Sequence, residues 1–199
     1  MFGFFKRKPR PEEEAAARLY ERVVAQARRP VFYATYGVPD TVNGRFEMII
    51  LHGFLVMHRL GNTEDEYAKA VSQALFDRMF RDMDRSLREM GISDLSVPKH
   101  MKRAISRFYA RAYAYEEGVE NPDVMAALIR RHVYGTADDL EITEEQLAAL
   151  TGYVQLQLDQ LEGLPLEEIY EADPVFAQAE TLTKTDITTD APPPKEIAS

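Results

Sequence analysis

The chain has 199 residues, 45% hydrophobic and 29% charged, with no cysteine and a formal net charge of −9. That length suits one domain with tails, and the composition is that of an ordinary globular protein. Without cysteine there are no disulfides, thiolate metal sites or cysteine nucleophile, and the acidic balance argues against nonspecific nucleic-acid binding, so DNA is not an expected partner.

The N-terminus carries Phe2, Phe4 and Phe5 followed by Lys6, Arg7, Lys8 and Arg10. Its apolar part is too short for a secretory signal and precedes the charges. No apolar run approaches the roughly 20 residues that span a bilayer. The expected location is the cytoplasm. Two readings of the first residues stay open: a frayed terminus, or a peripheral contact of Phe2, Phe4, Phe5, Lys6, Arg7 and Lys8 with the inner face of the cytoplasmic membrane, where aromatics and cations are favoured.

Helical periodicity then dominates. Glu12 to Arg28 places Ala16, Leu19, Tyr20, Val23 and Ala27 on one face, and Pro30 ends the segment. Val31 to Pro39 reads as a turn-rich connector. A second helix begins at Asp40 or Thr41, either of which can cap it, and runs to Leu60 before Gly61-Asn62. Between Met48 and Met57 only His52 and Gly53 interrupt its apolar side chains, which predicts the central core helix. Thr63 to Glu66 reads as a capping box for the third helix, with Phe76, Met79, Phe80, Met83, Leu87 and Met90 as its inner stripe and Gly91 past its end. The fourth opens near Ser96-Val97-Pro98 and ends at Gly118, with Met101, Ile105, Phe108, Ala112 and Tyr115 inward. Asn121-Pro122 starts the fifth, which runs to about Tyr134. Thr143 to Gln146 caps the sixth, which turns Leu147, Leu150, Val154, Leu158 and Leu161 inward until Gly163 and Pro165. No segment alternates like a strand. The expected fold is all-α, a single-domain bundle of about six helices. The expected divisions are a basic/aromatic segment 1–11, a helical domain 12–177 and a disordered Thr/Asp/Pro-rich tail 178–199.

Reaction chemistry is sparse. A P-loop, GxGxxG and a Ser/His/Asp arrangement are absent. The histidines His52, His58, His100 and His132 lack ligand spacing, and His52 is expected to be a core side chain bonded to a carbonyl. Asp77, Asp82 and Asp84 read as i,i+4 pairs with Arg81, Arg78 and Arg88 on a solvated helix face. No cofactor is expected. The fourth helix stands out, because from Val97 to Tyr115 it has no acid yet carries Lys99, Lys102, Arg103, Arg107 and Arg111. Lys99, Arg103, Arg107 and Arg111 form an i+4 band, with Tyr109 and Tyr113 beside Lys102 on a neighbouring flank. Either this band matches the acidic third or sixth helix internally, or it docks a polypeptide, lipid headgroups or ribosomal RNA.

Three blocks in order carry a family resemblance. They are Tyr36-Gly37-Val38-Pro39-Asp40 through Arg45-Phe46-Glu47-Met48 to His58-Arg59-Leu60; Phe76-Asp77-Arg78-Met79-Phe80-Arg81-Asp82-Met83-Asp84-Arg85 to Ile92; and Val97-Pro98-Lys99-His100-Met101-Lys102 to Arg111. Over about residues 30 to 135 the chain resembles the ubiquinol–cytochrome c chaperones, bacterial relatives of a mitochondrial assembly factor for the cytochrome bc1 complex. The resemblance implies a nonenzymatic chaperone that binds newly synthesised cytochrome b near the ribosome exit and supports bc1 assembly. It implies no catalytic residues; the mitochondrial relative also works with a second assembly factor. The rival readings are a small all-α enzyme using Asp77, Asp82 and Asp84 with a divalent metal, and a regulatory adaptor unrelated to respiration.

Overall fold

Helix α3, Val42–Gly61, is where the fold is organised. Thr41 caps it by accepting the Gly44 N–H at 3.0 Å. A side chain is impossible at Gly44, because its Cβ would lie 2.0 Å from the Pro39 carbonyl oxygen. The preceding turn needs Gly37 as well, which sits at φ +72°. From Met48 to Val56 nearly every side chain is buried, since α3 is enclosed by the other long helices.

The computed structural model describes residues 8–136, 141–171, 175–177 and 179. In chain order the other elements are α1 (Pro11–Ala27), α2 (Pro30–Ala34), α4 (Glu66–Glu89), α5 (Val97–Gly118), α6 (Pro122–His132), a 3-10 turn (Tyr134–Thr136), α7 (Glu144–Gly163) and α8 (Leu166–Glu171). Among the described residues there is no strand, and the fold is an all-α bundle around one apolar core. The six expected helices are present, together with the short α2 and α8. The connector 31–39 therefore needs correction: Pro30, read as a breaker, occupies the first turn of α2, where its fixed φ suits a helix start. The expected tail 178–199 lies outside the described residues except for Ala179, which is buried in the core.

The capping box at Thr63 also needs correction. Asp65 is the N-cap of α4, accepting the Ala68 N–H at 2.8 Å, and Thr63 Oγ1 accepts from the Asp65 N–H instead. Asparagine 121 and the Thr143/Gln146 box cap α6 and α7 as expected. Gly91, at φ +82°, ends α4 in a Schellman arrangement: its N–H bonds the Arg88 carbonyl and the Ile92 N–H bonds that of Leu87.

The core holds one polar thread. His52 donates from Nδ1 to the Met48 carbonyl at 2.8 Å, so Nε2 accepts from the Tyr153 hydroxyl at 2.8 Å. Gln26 Nε2 donates to that hydroxyl and to the Ala177 carbonyl. Burial pushes the His52 pKa down to about 4, leaving a neutral ring. Gln157 pairs with both the N–H and the carbonyl of Ala177, and Gln160 bonds the Val175 carbonyl. These side chains satisfy a backbone that belongs to no helix, and they seat Phe176 against His52 at 5.3 Å.

Phe54 is fully enclosed and stacks on His58 and Tyr115. Phe54→Ala is expected to cost about 3–5 kcal/mol in urea denaturation. A loss below about 1 kcal/mol would show that α3 is not the core helix.

Candidate docking site

Helices α4 and α5 form an antiparallel hairpin on one side of α3. Phe76, Phe80 and Phe108 lock it with ring centroids 4.6–5.8 Å apart. α5 is fixed to α3 by charge. Glu47, 1% exposed, accepts from Arg111 Nε at 3.1 Å and lies 3.8 Å from Arg107. Burial outweighs both arginines and holds the Glu47 carboxyl above the usual carboxylate range. Arg107 also lies over the Phe46 ring at 5.7 Å.

Toward the tip of the hairpin the core opens into a groove of about 480 Å³. One wall is the start of α3, with Val42, Asn43, Arg45, Phe46 and Ile49. A second is the last turns of α4, with Met79, Asp82, Met83, Ser86, Leu87 and Met90. A third is the first half of α5, with His100, Arg103, Ala104 and Arg107. Tyr20 and Arg28 of α1 close the fourth side. The inner stripe expected for 64–90 is thereby corrected. Met79 and Phe80 are core, but Met83 and Leu87 are only half-buried, and Met90 is 60% exposed because no helix among the described residues covers the end of α4. Ala68, Val71 and Leu75, further back on the helix, complete the buried face.

The structure distributes the basic and aromatic residues of α5 over three environments. Arg107 and Arg111 turn toward Glu47, so their internal match is one buried carboxylate of α3, not the acidic third or sixth helix. Arg103 lines the groove beside Arg107, while Lys99 and Lys102 are exposed; none of Lys99, Lys102 and Arg103 makes an ion pair among the described residues. Lys102, Tyr109 and Tyr113 occupy a neighbouring flank of the helix, roughly a third of a turn round from Arg103 and Arg107. Tyr109 is 59% exposed with its ring 5.4 Å from Phe76, and Tyr113 is 75% exposed. At the N-terminus Lys8 is exposed, and Phe2, Phe4, Phe5, Lys6 and Arg7 lie outside the described residues.

The α4 carboxylates do not form one centre. Asp84 pairs with Arg88 at 2.7 Å as expected. Two expected pairs are replaced: Asp77 accepts from Gln73, and Asp82 accepts from Tyr20 at 2.9 Å and pairs with Arg85, while Arg78 lies over the Tyr20 ring. For Asp82 and Arg78 the reason is that α1 packs along α4 and supplies Tyr20, a partner that helical spacing cannot reveal, whereas Gln73 and Arg85 are neighbours on α4 itself. Among the described residues no group of three or more His, Asp or Glu is placed to hold a metal ion. His58 pairs with Glu116 at 2.9 Å, His132 packs on Tyr115, and His100 sits in the groove wall. No helix among the described residues is long and apolar enough to cross a membrane.

The profile of the family described as "Ubiquinol-cytochrome C chaperone" matches residues 34–176. The chain belongs to this family. The match extends beyond the 30–135 region of the sequence blocks and takes in α7 and α8. The crystal structure of the Cbp3 homolog from Brucella abortus superposes with a TM-score of 0.73 at 36% identity, covering 85% of this chain and 92% of that one. The ubiquinol-cytochrome c reductase complex assembly factor 1 of Mus musculus is 27% identical over 157 residues, 78% of this chain and 52% of the relative. Protein CBP3, mitochondrial, of Saccharomyces cerevisiae is 24% identical over 130 residues, 64% of this chain and 38% of that protein. The chain thus spans about half the length of its mouse relative. Within this family member, the three blocks that carried the sequence resemblance supply every groove residue except Tyr20 and Arg28.

The Glu47 geometry separates the cations of α5 by their expected cost. Arg111→Glu sets a second carboxylate against a buried one and is expected to destabilise by at least about 3–5 kcal/mol. Arg103→Glu should stay within about 0.5 kcal/mol of the parent. Equal urea midpoints for the two variants would show that the Glu47 pair does not hold α5 in place.

Proposed function

We propose that this protein is a nonenzymatic assembly chaperone for ubiquinol–cytochrome c reductase, the cytochrome bc1 complex, and that its client is newly made cytochrome b. The observation that carries the reading is the family match over residues 34–176, which runs through all of the groove except the α1 side. Relatives named as assembly factors for this complex support it. An open apolar groove with a cationic rim suits a protein that holds a partner. The carboxylates of α4, each engaged by a neighbouring side chain, do not suit a catalytic centre. We further propose that Lys99, Lys102 and Arg103 contribute to docking the client or the ribosome exit region.

Deletion of the gene, followed by difference spectra of membranes for b- and c-type haem, tests the assembly role. The expected result is loss of the haem b and of the intact complex, restored by the parental gene. A normal spectrum in the deletion strain would remove the assembly role. Co-purification of cytochrome b with the tagged chain tests the client separately; its absence from a strain that otherwise needs the gene would leave the role and overturn the client.

The first residues are proposed to touch the inner face of the cytoplasmic membrane. Removal of residues 1–8 spares the Arg10/Glu13 cap of α1 and is expected to leave the fold intact. Recovery with membranes should fall, most clearly at low salt, where the attraction is least screened. Unchanged recovery would sink the membrane contact.

A further inference from the structure

We propose that the groove between α3, α4 and α5 receives one amphipathic α-helix of a partner polypeptide, its apolar side chains set among Met83, Leu87 and Met90 and its flanking carboxylates against Arg28 and Arg103. The inference concerns the chemistry of the bound segment and holds whether or not the client is cytochrome b.

The lips of the groove are apolar and exposed: Val42 is 74% and Met90 60% exposed. Single exposed apolar residues are ordinary on a protein surface. These two differ in being continuous with a cavity whose volume lies in the range of pockets that hold ligands or anchoring side chains, roughly 300–1,000 Å³. Three methionines line it, and their unbranched thioether side chains repack around different shapes at little cost.

Charge decides the sign of the partner. The lining contains four arginines and one carboxylate, Asp82, which Tyr20 and Arg85 already engage. Arg45 is paired with Asp40, and Arg107 faces Glu47. Arg28 and Arg103 remain exposed without a carboxylate among the described residues, on opposite sides of the groove. In a chain of net charge −9 this is a local cationic frame, and it favours acidic flanks while repelling basic ones.

Backbone chemistry decides the conformation. The walls are helices, whose N–H and carbonyl groups are paired internally except at the ends, here the first turn of α3, the last turn of α4 and the C-cap of α1. The groove therefore has no strand edge to offer an extended peptide, whose own backbone groups would be left unpaired in an apolar setting. A helix brings its backbone bonds already made and presents apolar side chains at i, i+3, i+4 and i+7.

The test uses the full-length protein and a fluorescent helical peptide of about 18 residues, five turns, with leucine on one face and glutamate on both flanks. A second peptide carries lysine in place of every glutamate. By fluorescence anisotropy the glutamate peptide should bind at least about tenfold more tightly than the lysine peptide, a difference of about 1.4 kcal/mol. Arg28→Glu/Arg103→Glu should reverse that order, and Met90→Asp should weaken both peptides. All three positions are exposed, so circular dichroism and the urea midpoint should stay at parental values. No binding, no preference between the peptides, or indifference to Met90→Asp overturns the proposal. Displacement of the peptide by phosphatidylglycerol vesicles would assign the groove to lipid instead. A dimer in light scattering that Met90→Asp abolishes would assign it to a second copy of the chain. Because purified components are used, failure here leaves the assembly reading untouched.

Discussion

A carboxylate buried to 1% exposure has to be matched by cations, and the choice of cations fixes a helix. Glu47 lies on the most apolar helix of the chain, and its oxygens face Arg111 and Arg107, one turn apart on α5. Removing either charge alone would leave its partner desolvated. Geometry at the pair is therefore constrained along the helix axis and around it. Phe46, the neighbour of Glu47 in the chain, and Arg107 both line the groove that lies beside the pair.

This pair is not where the stability of the fold comes from. Burial raises the Glu47 carboxyl above its usual range even with two guanidiniums beside it, so desolvation exceeds what the cations return. The stabilising term is apolar packing around α3 and the aromatic lock of Phe76, Phe80 and Phe108. The ion pair instead ties the two helices at one place, through Glu47 of α3 and Arg107 and Arg111 of α5.

Most of the helices were legible in the sequence because their ends have local chemistry. Thr41, Asn121, Thr143 and Gly91 act within a few residues of themselves, and each does what its position implies. His52 was legible for the same reason, since its carbonyl partner is one turn away. Partners distant in the chain were not. Glu47 and Arg111 are 64 residues apart, Tyr20 and Asp82 are 62, and nothing in either local pattern announces the other. Helical spacing showed that Met83, Leu87 and Met90 share the face of Phe76 and Phe80. It could not show that the helices covering that face stop short of the last two turns. The band on α5 was likewise correct as a spacing and incomplete as a surface, because only tertiary contacts separate a cation that faces a buried acid from one that faces water.

That division explains why a docking groove can leave so little chemical signature. A reaction centre needs a few groups held at fixed separation, and those leave motifs. A docking groove needs an uncovered apolar stripe, adaptable side chains and a frame of one charge, each of which is common in sequence. What distinguishes this chain is their coincidence at the tip of one hairpin, beside a buried acid. The three stretches that carry the family resemblance meet at that tip. α3 contributes the acid and one wall, α4 the methionines, and α5 both the arginines that face the acid and Arg103, which lines the groove with no ion pair among the described residues. Replacing Glu47 and Arg111 together with apolar residues would remove that charge match without leaving either charge buried alone.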